Sequence, residues 1–114
     1  MKVAVSGAMG RLGNVIAHGV SKANDMELTG VYSPGHAGKM LAGVEIVDSA
    51  QTINAQIIVE CTHPDVVMEN LKKWHAKGMR VVIGTSGFTE DRISELKSFW
   101  TETDPGILKD FISI

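Results

Sequence analysis

Cysteine is nearly missing from this 114-residue sequence: Cys61 is the single one. One thiol excludes an internal disulfide and fits a reducing compartment. A basic excess is missing too, since 11 Lys and Arg against 13 Asp and Glu leave a formal net charge of −2. That balance gives no field for nucleic acid and no polybasic patch for a membrane surface. No apolar run is long enough to cross a bilayer. The N-terminus has no signal-peptide core, because Val3-Ala4-Val5 is cut short by Ser6-Gly7. There is no repeat, no low-complexity segment and no linker. No pair among His18, His36, His63 and His75 has metal-ligand spacing. Neither a nucleophile elbow nor a P-loop lysine occurs. The expectation is one cytoplasmic domain, without metal, nucleic-acid or membrane partner. With 44% hydrophobic and 21% charged residues, it has the composition of a globular chain that can bury a core.

What the sequence does have stands at its start. Val3-Ala4-Val5-Ser6 has the length and apolar character of a buried strand, and Gly7-Ala8-Met9-Gly10-Arg11-Leu12-Gly13 follows it directly. After the turn, Leu12, Val15, Ile16, Gly19, Val20 and Ala23 recur at helical spacing, so a helix is predicted from about residue 10 to 22 or 23. Glycines at 7, 10 and 13 sit where a strand must reverse into a helix. Gly7 permits the turn, Gly10 lets backbone N–H groups approach a pyrophosphate, and Gly13 lets the helix lie close to the sheet. The helix N-terminus then offers unpaired donors to phosphate. A glycine-rich turn without a ligand is the plain alternative. Gly19 is expected on the buried face, as a close-packing residue.

The rest of the chain alternates strand and helix. A second strand is predicted over 26–32, a loop over 33–39, and a short strand or extended loop over 43–47. A short helix is predicted over 49–54 and a third main strand over 56–61. Thr62-His63-Pro64-Asp65 starts the next helix, with Pro64 at its first position and Val67, Leu71 and Trp74 as its buried stripe. Gly78 ends it. A further strand over 79–84 leads to Thr85-Ser86-Gly87-Phe88. Thr89-Glu90-Asp91 caps a helix that buries Ile93, Leu96 and Trp100, broken at Asp104-Pro105-Gly106 before a last apolar segment at Ile107-Leu108. This order predicts an α/β fold, a doubly wound parallel sheet of the Rossmann type with three layers, αβα. Ligands of such sheets bind beyond the carboxyl ends of the strands. Three loops lie there: 7–13, 61–64 and 84–88.

The end of the second strand decides which dinucleotide fits. A carboxylate there would bond a ribose hydroxyl and repel a 2′-phosphate. The position falls at Ser33, and no carboxylate lies between Glu27 and Glu45. The nearby donors are Arg11, His36 and Lys39, an environment that tolerates a 2′-phosphate.

The three loops together resemble the dihydrodipicolinate reductase family. Its glycine turn reads roughly G-A-x-G-R-x-G, as residues 7–13 do. Its third strand ends roughly D-F-T-x-P, where this chain has Glu60-Cys61-Thr62-His63-Pro64. Its fourth ends V-x-G-T-T-G-F, where this chain has Val82-Ile83-Gly84-Thr85-Ser86-Gly87-Phe88. The resemblance covers residues 1–108. It implies hydride transfer from NADH or NADPH to a cyclic unsaturated diacid of the diaminopimelate–lysine pathway. It places Gly7, Ala8, Met9, Gly10, Arg11 and Leu12 at the pyrophosphate, and Cys61, Thr62, Gly84, Thr85 and Ser86 at the nicotinamide side. Ser33 and Lys39 stand toward the adenosine ribose, where the family's usual acidic or acidic–arginine pair is replaced by Ser33-Pro34.

By the same resemblance a second domain would follow, carrying the substrate site, the proton donor and the tetramer surface. None of its motifs occurs in these 114 residues, so the chain is expected to be the dinucleotide-binding domain alone, without catalytic residues of its own and without the family's homotetramer. His63 reads as a helix-start residue and Cys61 as a small apolar strand residue. Two classes of function follow: the cofactor-binding half of a reductase, or a non-catalytic dinucleotide-binding or redox-sensing module.

Overall fold

The computed structural model describes residues 1–84 and 89–100, and the strand at 107–108. The first strand, β1 (Lys2–Ser6), is central. Val3, Ala4, Val5 and Ser6 are all buried, as a parallel strand covered on both faces requires. Around it the sheet runs β3-β4-β2-β1-β5-β6-β7, with β2 at Glu27–Tyr32, β3 at Met40–Leu41, β4 at Val44–Val47, β5 at Ile57–Glu60, β6 at Arg80–Ile83 and β7 at Ile107–Leu108. β2 and β5 both pair with β1 in parallel, so the winding changes direction at β1.

The helices cover opposite faces. Helix α1 (Arg11–Lys22) packs Ala17 and Val20 against Val3, Val5, Val31 and Val59. Helices α2 (Pro64–Ala76) and α3 (Glu90–Phe99) cover the other face, where Leu71, Trp74 and Leu96 meet Ala4, Ile58, Val81 and Ile83. The expected three-layer αβα sheet is present, with one departure from a wholly parallel order. Met40–Leu41 pairs antiparallel with β4 through Ala42 and Gly43, both at positive φ, 51° and 82°. That is a two-residue hairpin connection whose backbone matches strand twist. The stretch over 43–47, open between strand and loop, is a strand. The helix expected over 49–54 is a single 3-10 turn at Ala50–Thr52.

The caps form as their residues dictate. His63 precedes α2, with Pro64 at the first position, and its Nδ1 accepts from the Asp65 N–H at 3.2 Å. Thr89 Oγ1 accepts from the Arg92 N–H at 3.3 Å before α3. Gly78, at φ 72°, ends α2. Val67, Leu71 and Trp74 are wholly buried, Leu96 and Trp100 are buried, and Ile93 is half-buried. Asp104, Pro105 and Gly106 lie outside the described residues; α3 ends at Phe99, ahead of them.

The inward face of α1 is not the expected one. Gly13, Ala17 and Val20 are buried, whereas Val15 is 65% exposed, and a Cβ on Gly19 would meet nothing within 4 Å. The stripe of larger apolar residues misplaces the contact because small residues make it. Gly13 and Ala17 bring the helix axis close to the sheet, and Leu12, Ile16 and Ala23 flank it half-buried. A Cβ on Gly13 would sit 2.3 Å from the Gly7 carbonyl oxygen and 2.9 Å from Ala8 Cα, all backbone that cannot give way. Two alanine substitutions in one helix should therefore act in opposite directions. Gly13→Ala should lose about 3 kcal/mol through overpacking, and Gly19→Ala should gain about 1 kcal/mol through helix propensity. Urea unfolding of the two variants beside the parent checks both.

Candidate functional site

An open cleft of ≈ 390 Å³ lies beyond the carboxyl ends of β1, β2 and β5. Gly7, Met9 and Gly10 line it from the first turn, Ser33, Pro34 and His36 from the second, and Cys61, Thr62 and His63 from the third. A larger hollow of ≈ 540 Å³, lined by Met1, Ala55, Gln56, Ile57, Gly78 and Arg80, opens at the amino ends of the strands. Parallel sheets bind ligands at the carboxyl ends, at the point where the winding reverses, so the smaller cleft is the candidate.

The glycine turn is built against the end of β5. Gly7 stands at φ 82°, its N–H donates to the Tyr32 carbonyl at 2.9 Å, and a Cβ there would lie 2.7 Å from the Cys61 carbonyl carbon. No other residue type fits both the conformation and the approach. The Gly10 N–H donates to the Gly7 carbonyl at 3.1 Å and Gly10 caps α1 without a side chain. Among the described residues, nothing accepts from the N–H groups of Met9, Arg11 and Leu12. These are the orphan donors of a helix start, turned toward the cleft end of the fold.

The other expected site residues divide. Ala8 is fully buried beneath the turn, and Leu12 is half-buried, its Cδ2 3.1 Å from where a Cβ on Gly84 would stand. Gly84 follows β6 directly, buried, with its N–H on the Glu60 carbonyl at 2.8 Å. Arg11 and Lys39 are exposed and do not line the cleft. Ser33 does line it; it is 5% exposed, and its Oγ lies 3.0 Å from His36 Nδ1. Thr85 and Ser86 lie outside the described residues. His63 is an exposed cap residue, 3.3 Å from the Asp65 carboxylate. Lys72 pairs with Glu95 at 3.3 Å, Lys73 reaches the Tyr32 hydroxyl at 3.4 Å, and Lys77 bonds the Gln51 carbonyl at 3.1 Å; none lines the cleft. Among the described residues no cluster of His, Cys, Asp and Glu could hold a metal ion, and no helix is long and apolar enough to cross a membrane.

Sequence reasoning passed over Glu60, the last residue of β5. It is fully buried. Trp74 Nε1 donates to its Oε1 at 2.7 Å, Asn70 Nδ2 donates to its Oε2 at 3.2 Å, and the Thr62 hydroxyl donates to the same Oε2. Asn70 Nδ2 is also 3.3 Å from Thr62 Oγ1. A buried carboxylate persists only when its oxygens are matched by donors in this way. The signal was a charge closing an otherwise continuous apolar strand, with Asn70 and Trp74 one turn apart on the helix that follows. Beside it, burial and then the Glu60 charge push the Cys61 thiol up to about 12. Cys61 is not a nucleophile at neutral pH.

Residues 1–109 match the family described as "Dihydrodipicolinate reductase, N-terminus". The chain belongs to the dihydrodipicolinate reductase family. It is 35% identical over 107 residues to the 4-hydroxy-tetrahydrodipicolinate reductase of Mycolicibacterium gilvum, covering 94% of this chain and 40% of that protein. The reductase of the same name from Rippkaea orientalis is 36% identical over 124 residues, 93% of this chain and 45% of that one. The crystal structure of dihydrodipicolinate reductase from Paenisporosarcina superposes with a TM-score of 0.71 at 25% identity, covering 87% of this chain and 42% of that one. The chain thus spans less than half the length of these reductases.

The thiol gives a test that needs no ligand. With Cys61 near 12 rather than the ordinary 9.0, its thiolate fraction at pH 8 falls about 1,000-fold. Iodoacetamide should label the native chain far more slowly than the urea-unfolded chain, followed by mass spectrometry. The linkage has a definite sign. Below pH 9 both states keep the proton; between pH 9 and 12 the unfolded thiol ionises first, so stability falls as pH rises. Cys61→Ala should remove that part of the alkaline loss.

Proposed function

We propose that this chain binds a nicotinamide dinucleotide in the cleft and serves as the cofactor-binding part of a dihydrodipicolinate reductase. The observation that carries the reading is the glycine turn. Among the described residues the N–H groups of Met9, Arg11 and Leu12 at the start of α1 have no acceptor, and Gly10 leaves their approach free of a side chain. That is a cradle for a pyrophosphate, which the backbone can bind without a lysine. Cys61, Thr62 and Gly84 stand at the neighbouring strand ends, where the nicotinamide ring would lie, with Thr85 and Ser86 assigned there by motif alone. The dinucleotide, when bound, supplies a hydride. The chain's own residues hold it and shape its surroundings.

The adenosine end favours no carboxylate-dependent choice. Ser33, Pro34 and His36 line it, and among the described residues no acid does. NADPH is therefore proposed to bind at least as tightly as NADH. Arg11, exposed at the first helical position, is the cation available to its extra phosphate. The acceptor proposed is the family's cyclic unsaturated diacid. Reduction needs that acceptor held against the ring and a proton donor beside it. Among the described residues the cleft has no cationic clamp for two carboxylates. The groups that hold the diacid and build the family's tetramer are assigned to a further substrate domain, and these residues alone are proposed to bind cofactor without turnover.

Gly10→Val tests the turn. Gly10 has φ −76° and ψ 169°, which any residue adopts, and a Cβ there meets only the Gly7 carbonyl oxygen at 3.4 Å. The variant should fold and lose NADH binding, read by nucleotide fluorescence. Undiminished binding would refute the site. Arg11→Ala should weaken NADPH by about tenfold and NADH less, as expected for one charge-assisted phosphate bond. Equal losses would leave Arg11 with the pyrophosphate alone.

A further inference from the structure

Thr62 lines the cleft and its hydroxyl reaches back to a buried carboxylate; that hydroxyl has one proton and two lone pairs to share. The proton goes to Glu60 Oε2. One lone pair faces the Asn70 amide at 3.3 Å. Glu60 cannot move to release that proton: its other oxygen is held by the Trp74 indole at 2.7 Å, in a pocket where the whole side chain is buried. Turning the Thr62 O–H into the cleft would take a donor from a buried carboxylate, which costs more than an ordinary hydrogen bond returns. What Thr62 can show to a ligand is therefore its second lone pair.

We propose that Glu60 fixes the Thr62 hydroxyl as a hydrogen-bond acceptor toward the cleft, so that the cleft selects a ring substituent that donates an N–H. Glu60 is a positioning residue in this scheme and never touches the ligand. Nicotinamide carries such a donor in its carboxamide; a ring bearing a ketone in its place does not. The inference rests on the dinucleotide reading above and adds to it a polarity that the reading does not require.

Replacing Glu60 by Gln reverses the polarity with little change of shape. The Trp74 indole, a donor only, takes the glutamine oxygen. The glutamine amide then faces Thr62 and donates to it; the Asn70 amide, whose Nδ2 donated to the same oxygen, turns its Oδ1 to the glutamine amide, and the Thr62 proton, no longer held by a carboxylate, is free to turn to the cleft. The experiment titrates the chain with NADH, with reduced 3-acetylpyridine adenine dinucleotide, which lacks the carboxamide N–H, and with ADP-ribose, which lacks the ring.

The parent should bind NADH about fivefold more tightly than the acetylpyridine analogue, the worth of about one neutral hydrogen bond. Glu60→Gln should bring that ratio to one or below while the ADP-ribose affinity stays the same. Thr62→Val should also bring it to one, and Thr62→Ser should restore it, so a Glu60 variant that fails to fold leaves the second pair to decide. Equal affinities in the parent overturn the inference, as does a ratio that Glu60→Gln and Thr62→Val leave unmoved. If ADP-ribose binds and the ring substituent makes no difference, this inference alone falls. If none of the three ligands binds, the dinucleotide reading falls and takes this one with it.

Discussion

Three backbone segments meet at Gly7 with no side chain between them. Its N–H holds the end of β2, the position a side chain would take is filled by the carbonyl of Cys61 just past β5, and its own carbonyl lies where a side chain on Gly13 of α1 would stand. Added atoms at position 7 or 13 would fall within 2.7 Å and 2.3 Å of backbone. Contacts that close leave no slack, so the two strand ends and the helix start are fixed relative to one another. The cleft is the space that remains once they are. Its position follows from the winding: β1 has parallel neighbours on both sides, and the loops leaving them diverge.

The second fixed point is the Glu60 carboxylate. Removing a charge from water costs several kcal/mol in an interior, recovered only when hydrogen bonds surround it. Here the donors come from the second and third turns of α2 and from Thr62 in the loop between. The charge therefore ties β5, its following loop and α2 into one unit. The Tyr32 ring meets Trp74 edge-on at 5.3 Å and extends the tie to β2. Loss of one donor would leave a charge short of partners, so the group constrains specificity of packing more than it adds to stability. The raised thiol of Cys61 is a by-product of the same arrangement.

Much of this was legible in the sequence because the signals were local. The glycine turn, Pro64 after His63, Gly78 and Thr89 each act through their own backbone, and each stands where the sequence put it. The buried stripe of α2 was legible because Val67, Leu71 and Trp74 are large. The stripe of α1 was legible only in part: Gly13 and Val20 face inward as their positions suggested, but the small Ala17 carries little apolar signal, and Val15 and Gly19 face outward. Gly19 drew attention as a glycine in a helix and turned out to face open space. The edge hairpin at Met40–Leu41 was hidden by its length, two residues on each side of Ala42 and Gly43. Glu60 was hidden for a different reason. Whether a carboxylate at a strand end is solvated or buried depends on what the next helix lays over it, and Asn70 and Trp74 reach it only through the tertiary fold.

The donors offered to an anion at this cleft are backbone rather than side chains. Both α1 and α2 begin at the cleft, at Arg11 and Pro64, and among the described residues no lysine or arginine lines it. Each helix start contributes roughly half a positive charge, confined to its first turn. Such a field suits a diphosphate seated on the turn and fades before it could hold a second, separate anion across the cleft. The lysines of α2 are engaged elsewhere, Lys72 with Glu95, Lys73 with Tyr32 and Lys77 with Gln51, whereas Arg11 and Lys39 stand exposed beside the cleft rather than in its lining. The geometry therefore separates two tasks by chemistry. Backbone donors, which cannot be mutated away, recognise the part of a ligand common to all dinucleotides. Thr62, Ser33 and His36 are polar side chains that line the cleft, and under the proposed reading they and Arg11 beside it would distinguish one dinucleotide from another.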